Sequence, residues 1–359
     1  MKKVFIIAEA GVNHNGSLEL AKEMIKKAAE SGADAVKFQT FRAERVISLN
    51  APKAEYQLKT TGRDESQLQM VKKLELNEEE HRELARECLA RKIEFLSTPF
   101  DLESIDLLLN LDISRIKIGS GDITNSPLLL KAAQSQKEII LSTGMSTLDE
   151  VKAALGVLAY GYLFPSRDHK PSLNNFQEAY ISKEGQAWLS KKVSLLHCTT
   201  EYPAPYEEVN LRAMDTLKSA FRLKVGYSDH TRGINVPVAA AARGAFIIEK
   251  HFTLDRNLPG PDHMASVEPE ELKAMVSSIR QVELALGSVD KKPSSSEEKN
   301  LSVARRSLVA LDFIKMGELF TKENLGTKRP GNGISAVYYF DWLGKKAQRN
   351  YERDEQIKP

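Results

Sequence analysis

Cysteine is scarce: Cys88 and Cys198 are the only two in 359 residues. A disulfide framework is therefore excluded, and a thiol-reducing compartment is the expected setting. No charge of one sign dominates, since 51 Lys+Arg stand against 49 Asp+Glu for a net +2. That balance gives no global attraction to nucleic acid and no acidic tail. Long apolar runs are missing too. The start, Met1-Lys2-Lys3 followed by Val4–Ala8, offers only five apolar residues before Glu9, too few for a signal-peptide core. Nothing approaches the roughly 18 consecutive apolar residues that span a bilayer. The expectation is a cytoplasmic protein without nucleic-acid or membrane partners. With 42% hydrophobic and 28% charged residues the composition is that of an ordinary globular chain, so function must come from a local site.

What is present is an alternation of short apolar runs with amphipathic stretches. Candidate strands are Val4–Ala8, Ala35–Phe38, Ile93–Leu96, Arg115–Ile118, Glu138–Leu141, Val193–Leu196, Leu223–Gly226 and Ala245–Ile248. Between them Ser17 precedes Leu18–Ser31, which stops at Gly32, while Asn77 with Glu80 and Thr147 with Glu150 have capping-box spacing. This β/α alternation predicts a parallel sheet, and its length fits a TIM barrel over residues 1–286, with an open doubly wound sheet as the alternative. Residues 287–300 are polar, Ser-rich and contain Pro293, which predicts a linker. Residues 301–359 then form a small second domain with 11 Lys+Arg and 7 Asp+Glu, a local +4. Tyr160–Lys192 reads as a polar surface connection through Pro165, Asp168, Pro171 and Asn174-Asn175, with a short helix near Gln177–Tyr180.

Every candidate strand ends in chemistry. Glu9 follows the first, Lys37 and Gln39 the second, Thr98 the third, and Lys117, Ser120 and Asp122 the fourth. Ser142 and Thr143 follow the fifth, His197 and Tyr202 the sixth, Ser228 and His230 the seventh, and Glu249, Lys250 and His251 the eighth. A barrel gathers such C-terminal strand ends into one active site. By period-two geometry Lys37 shares a face with Gln39, Ser228 with His230, and Glu249 with His251, whereas Lys250 points away. Lys37 and Lys117 lie inside strand-like runs, where an ammonium needs an anionic partner. With Ser120, Ser142, Thr143 and the backbone of Gly119, Gly121 and Gly144 they outline a phosphate site. His230 and His251 end adjacent strands; they suit a divalent ion such as Mn²⁺, Fe²⁺ or Zn²⁺, or else are a hydrogen-bonded core pair. His14, His81, His169 and His263 have lower claims, His81 and His169 being expected in solvent. Cys198 beside His197 reads as a small buried residue rather than a nucleophile.

The segments AEAGVNHNG (8–16), AVKFQT (35–40), STPFD (97–101), KIGSGD (117–122), LSTGM (141–145), HCTTEYPAP (197–205), GYSDHT (226–231), EKHFT (249–253), GPDH (260–263) and KRPGNG (328–333) occur in this order. Together they resemble bacterial sialic acid synthases, the N-acetylneuraminate synthase family. The resemblance implies a TIM barrel followed by a small antifreeze-like (SAF) domain, in a domain-swapped homodimer. It implies condensation of phosphoenolpyruvate with N-acetylmannosamine, dependent on a divalent metal, Mn²⁺ first, with Mg²⁺ or Co²⁺ as alternatives. Lys37, Thr98, Lys117, Ser120, Ser142 and Ser228 match the family's phosphoenolpyruvate contacts, and His230 and His251 its metal ligands. Gln39, Phe100, Asp122, Tyr202 and Asp262 line the sugar side, Arg329 reaches it from a second subunit, and Glu9 stands as general base or cation stabiliser.

Four departures leave the acceptor open: Asp122 stands where some members have Glu, Thr200 where some have Asn, Arg305-Arg306-Ser307 where part of the family has an apolar stretch, and the 160–192 excursion is longer than the resemblance implies. N-acetylmannosamine is the first expectation; the alternative is a legionaminic-type synthase using a 2,4-diacetamido-6-deoxy sugar of the mannose type. A non-catalytic sugar- or ice-binding protein is the rival of a different class, but it leaves the interior lysines and paired histidines unused. A Schiff-base aldolase needs one desolvated lysine, not two.

Overall fold

The computed structural model describes residues 3–53, 58, 64–166 and 170–358. It divides into two compact units, Met1–Gly287 and Ser288–Pro359. The first holds eight parallel strands: β1 (Phe5–Gly11), β2 (Ala35–Thr40), β3 (Glu94–Pro99), β4 (Arg115–Ile118), β5 (Glu138–Ser142), β6 (Val193–His197), β7 (Lys224–Asp229) and β8 (Ile247–His251). Their order, β3-β2-β1-β8-β7-β6-β5-β4, is cyclic, and β3 packs against β4 across the remaining seam. That excludes the open doubly wound sheet, because a closed ring has no topological switch point.

Several strands run further than their apolar runs. β3 continues to Pro99, β7 to Asp229 and β8 to His251. The ladder persists because these polar side chains point into a cavity instead of a packed core. Alternation then stacks the barrel interior in two tiers. Ile7, Ala35, Leu96, Ile140, Leu196 and Ile247 form a separate buried apolar cluster. Two residues further along the same strands come Glu9, Lys37, Thr98, Ser142, Cys198 and Glu249. The outward faces pack into the large core shared with the helices.

The helix signals hold where caps were legible. Ser17, Asn77 and Thr147 each accept a backbone N–H at a helix start, the last two in full capping boxes. Tyr160–Lys192 departs from a surface connection. Helix Leu148–Leu163 runs through Tyr160, and helices Leu173–Ile181 and Lys183–Lys192 pack back onto it. Tyr160 meets Phe176 edge-on at 5.2 Å, so the apolar side chains in this polar stretch form an added helical layer; Asp168 and His169 lie outside the described residues. His81 is buried, not solvated: its ring bonds the Asn77 carbonyl and the Thr40 hydroxyl. The capping box turns this first-turn position towards β2. Among the described residues no helix is long and apolar enough to cross a membrane.

Lys250 turns away from the cavity, yet it is fully buried. Its ammonium lies 2.6 Å from Asp229 Oδ2 and also meets the Thr231 carbonyl. Asp229 further accepts from the Tyr227 hydroxyl and from the Thr231 backbone and hydroxyl. Removing one partner strands a buried charge, so Lys250→Met is expected to cost about 3–5 kcal/mol in urea unfolding. A cost below about 1 kcal/mol would contradict this reading of the pair.

The second unit has its own core of Leu308, Ala310, Ile314, Phe320, Leu325, Tyr351 and Ile357. β9 (Ser307–Ala310) and β10 (Leu325–Lys328) pair antiparallel, Leu308 opposite Thr327. The polar stretch read as a linker over 287–300 is helical from Ser295, because Ser294 and Glu297 close a capping box.

Candidate active site

The C-terminal strand ends of the first unit surround a cavity of about 340 Å³. Its wall includes Glu9, Lys37, Gln39, Thr98, Phe100, Lys117, Ser120, Ser142, Tyr202, Ser228, His230, His251 and Asp262. One residue expected on this wall is elsewhere. Asp122 ends a short 3-10 turn, Ser120–Asp122, which swings its carboxylate onto Asn125 Nδ2 at 2.9 Å and off the cavity wall. Arg329, expected to act from a second subunit, is exposed on the second unit.

Four buried charges form the floor of the cavity. Lys37 Nζ lies 2.6 Å from Glu9 Oε2, 3.8 Å from Glu249 Oε2, and donates to Thr98 Oγ1 at 3.0 Å. Lys117 Nζ is 3.4 Å from Glu249 Oε1, which also accepts from Ser228 Oγ at 2.7 Å. Strand register explains the meeting: Glu9 stands beside Lys37 on one side and His251 on the other, and Ser228 beside Glu249. Glu249 is the central residue that sequence reasoning did not assign. Its signals were its place at the end of the eighth strand run and the face it shares with His251.

The two carboxylates are driven apart. Burial pushes the Glu9 carboxyl up to about 7 despite the pull of Lys37. Burial also opposes the charge on Glu249, but Lys117, Lys37 and the Ser228 hydroxyl outweigh it and hold its pKa well below the usual carboxylate range. Burial disfavours the Lys37 ammonium, yet Glu249 and Glu9 keep its pKa above the ordinary lysine value, whereas burial leaves Lys117 below it. Asp262 is pushed up to about 6 by burial. Such a split marks one carboxyl for proton transfer and the other as a fixed counter-ion.

His230 and His251 face each other with ring centroids 5.4 Å apart, and Tyr202 packs on both. Burial pushes His230 down to about 4 and His251 well below the histidine value, so both imidazoles are neutral. His230 Nδ1 donates to the Thr199 carbonyl at 2.5 Å, which leaves the lone pair on Nε2. His251 Nδ1 is buried without a hydrogen-bond partner. The two rings do not bond each other: His230 Nε2 has only a 3.4 Å contact with Ser228 Oγ, whose proton goes to Glu249, so its lone pair and the unpartnered His251 Nδ1 fit a divalent ion. Among the described residues no group of three or more His, Cys, Asp or Glu could hold one, so water or substrate oxygens must complete any shell.

Parts of the expected phosphate cradle are already engaged. Thr143 gives both its N–H and its hydroxyl to the Leu196 carbonyl. Gly144 N–H donates to Ser120 Oγ, and a Cβ there would lie 2.4 Å from Thr200 Oγ1. That glycine is set by close packing, not by exposure to a ligand. Cys198 is buried with Sγ 3.2 Å from Ser120 Oγ, in keeping with its packing role. His14 and His263 are buried as well, and the Asn13–Gly16 loop stitches the segment carrying Asp262 to the barrel. Asn13 Nδ2 donates to the Phe252 carbonyl and to Ser266 Oγ, and His263 bonds Asn15 and Thr253.

An eight-stranded parallel barrel with this mouth, joined to a small β-containing unit, defines a TIM-barrel enzyme with a C-terminal SAF domain. The chain belongs to the NeuB family, which residues 24–291 match, and residues 305–359 match the SAF domain. It is 56% identical over 358 residues to the N,N'-diacetyllegionaminic acid synthase of Campylobacter jejuni, covering 100% of both chains. It is 46% identical over 346 residues to the Legionella pneumophila protein of the same name, covering 96% of this chain and 91% of that one. The solved N-acetylneuraminic acid (sialic acid) synthetase of Leptospira borgpetersenii gives a TM-score of 0.67 at 34% identity, over 83% of this chain and 90% of that one. The family read from the ordered motifs is thus borne out. The non-catalytic sugar- or ice-binding alternative is set aside.

Proposed function

We propose that the chain condenses phosphoenolpyruvate with a 2,4-diacetamido-6-deoxy sugar of the mannose type and water, giving a legionaminic-type acid and phosphate. The observation that carries the chemistry is the buried Lys37–Glu9–Glu249–Lys117 cluster at the barrel mouth. The names of the 56% and 46% identical relatives favour this acceptor over N-acetylmannosamine, the first expectation from sequence.

The enol carbon of phosphoenolpyruvate forms the new C–C bond to the aldehyde carbon of the open-chain sugar, whose oxygen takes up a proton. Cationic character develops at C2, water adds there and loses a proton, and the C–O bond to phosphate breaks to leave the ketone. Lys37 and Lys117 hold the phosphate and carboxylate charges, with Thr98, Ser120, Ser142 and Ser228 around them, a positioning and electrostatic role. Glu9 takes the proton from the added water. Gln39, Phe100, Tyr202 and Asp262 form the sugar side, and Arg329 of a second copy completes it in a homodimer. His230 and His251 would hold a divalent ion, Mn²⁺ or else Mg²⁺ or Co²⁺, which supplies electrophilic activation of the acceptor carbonyl.

Two measurements test this reading. Phosphate release should require the acceptor, and kcat/KM should be at least tenfold higher for the diacetamido sugar than for N-acetylmannosamine. Heavy oxygen at the bridging position of phosphoenolpyruvate should leave with the phosphate. Label retained in the sugar acid would mean P–O cleavage and a different mechanism.

The Glu9 carboxyl sets a pH dependence. A raised carboxylate pKa means the base is protonated, and idle, below about 7 and ionised above it. The kcat/KM profile should therefore carry an acid limb near neutrality. Glu9→Gln should lower kcat about a hundredfold or more and abolish the limb. A limb that survives the substitution belongs to another group.

A further inference from the structure

Part of the cavity wall is unlike the rest. Val12, Phe41 and Leu74 form a small buried apolar cluster, with Val71 and Phe100 packed against it, separate from the core of the barrel. All five border the cavity, together with Ile47. They come from the connections that follow β1, β2 and β3, beyond the strand positions of Glu9, Lys37 and Thr98 and so nearer the mouth than the charged floor. Phe41 and Phe100 meet edge-on at 6.1 Å, which fixes the two rings in the wall. The charged floor, by contrast, lies on the strands themselves, at Glu9, Lys37, Lys117 and Glu249.

From this division we infer that the Val12–Phe41–Val71–Leu74 wall, with Phe100, reads the distal half of the acceptor and selects methyl groups over hydroxyls there. The inference rests on the proposed condensation, in which the aldehyde end of the acceptor meets phosphoenolpyruvate over the lysines. An open-chain sugar placed so extends its far end outward from the floor, towards the mouth and the apolar wall. The diacetamido-6-deoxy acceptor presents an acetamido methyl at C4 and a methyl at C6. N-acetylmannosamine presents hydroxyls at both carbons. A hydroxyl buried against side chains that offer it no hydrogen bond loses its water without replacement, whereas a methyl gains contact. A hydrophobic pocket discriminates by roughly 10- to 200-fold per such group, which suffices to set the preferred acceptor.

The test exchanges shape-matched side chains. Val12→Thr and Val71→Thr keep the volume and add one hydroxyl to the wall. For each variant of the full chain, kcat/KM is measured for both acceptors and KM for phosphoenolpyruvate, with the thermal midpoint recorded alongside. Each substitution is expected to lower the preference for the diacetamido sugar about tenfold, with KM for phosphoenolpyruvate unchanged within twofold. If the wild type prefers the diacetamido sugar and both folded variants keep that preference, the wall assignment is wrong while the proposed function stands. Equal losses on both acceptors overturn it in the same way. A wild type that prefers N-acetylmannosamine, or uses neither sugar, overturns the proposed acceptor and the wall assignment together.

Discussion

Lys117→Ala is expected to lower kcat/KM for phosphoenolpyruvate by about a thousandfold with the barrel still folded. At neutral pH phosphoenolpyruvate carries about −2.5 to −3, because its phosphoryl group titrates near 6 and its carboxylate is ionised. The cavity offers two ammonium groups against it, and both face carboxylates: Lys37 faces Glu9 and Glu249, and Lys117 faces Glu249. Removing Lys117 leaves Glu249, a permanent anion, with Lys37 as its remaining cationic partner and turned towards an anionic substrate. Loss of one well-placed electrostatic partner in a water-poor site costs roughly 10²–10³ in rate, and weakened substrate binding adds to it. The measurement is initial-rate phosphate release, with circular dichroism to verify the fold. A loss within tenfold would mean that Lys117 neutralises Glu249 and does nothing for substrate.

The second large effect concerns the imidazole pair. Treatment with EDTA should abolish activity, and Mn²⁺ should restore it. The charge count gives the reason: two lysines already shared with two carboxylates do not neutralise phosphoenolpyruvate. The lone pair of His230 Nε2 and the unpartnered His251 Nδ1 are the cavity's fitting donors for another cation. His230→Ala and His251→Ala should each reduce turnover at least a thousandfold and weaken Mn²⁺ binding, read from the electron-spin resonance of the free ion. Full activity of the metal-stripped protein would remove the metal from the proposed chemistry.

Much of this site was legible because charge inside a β-run is unusual. Lys37 in AVKFQ and Lys117 in RIKIG stand out from sequence alone, as do histidines ending adjacent strands. What was not legible depended on side-chain partners far apart in the chain. Glu249 became central only when β8 brought it between lysines from β2 and β4. The apolar wall escaped notice because Met70, Val71 and Leu74 look like the buried stripe of a short helix, Gln67–Lys72, and its continuation. Asp122 was misplaced for a local reason: one turn of 3-10 helix after β4 rotates it onto Asn125. His81 looked solvated among its charged neighbours, but a helix start shows its core only through contacts with the next layer.

The lower tier of the barrel, Ile7, Ala35, Leu96, Ile140, Leu196 and Ile247, has a stereochemical consequence. These side chains are almost completely buried and carry no group that holds water. Solvent therefore reaches the reacting carbons from the mouth alone. In the proposed condensation, an enol phosphate held above that plug would meet water from the mouth side, so hydration of its C2 would be one-sided. Handedness at C2 of the tetrahedral intermediate would then follow from which side of the molecule is dry, whichever sugar has been joined to it, and would vanish when phosphate leaves and the ketone forms.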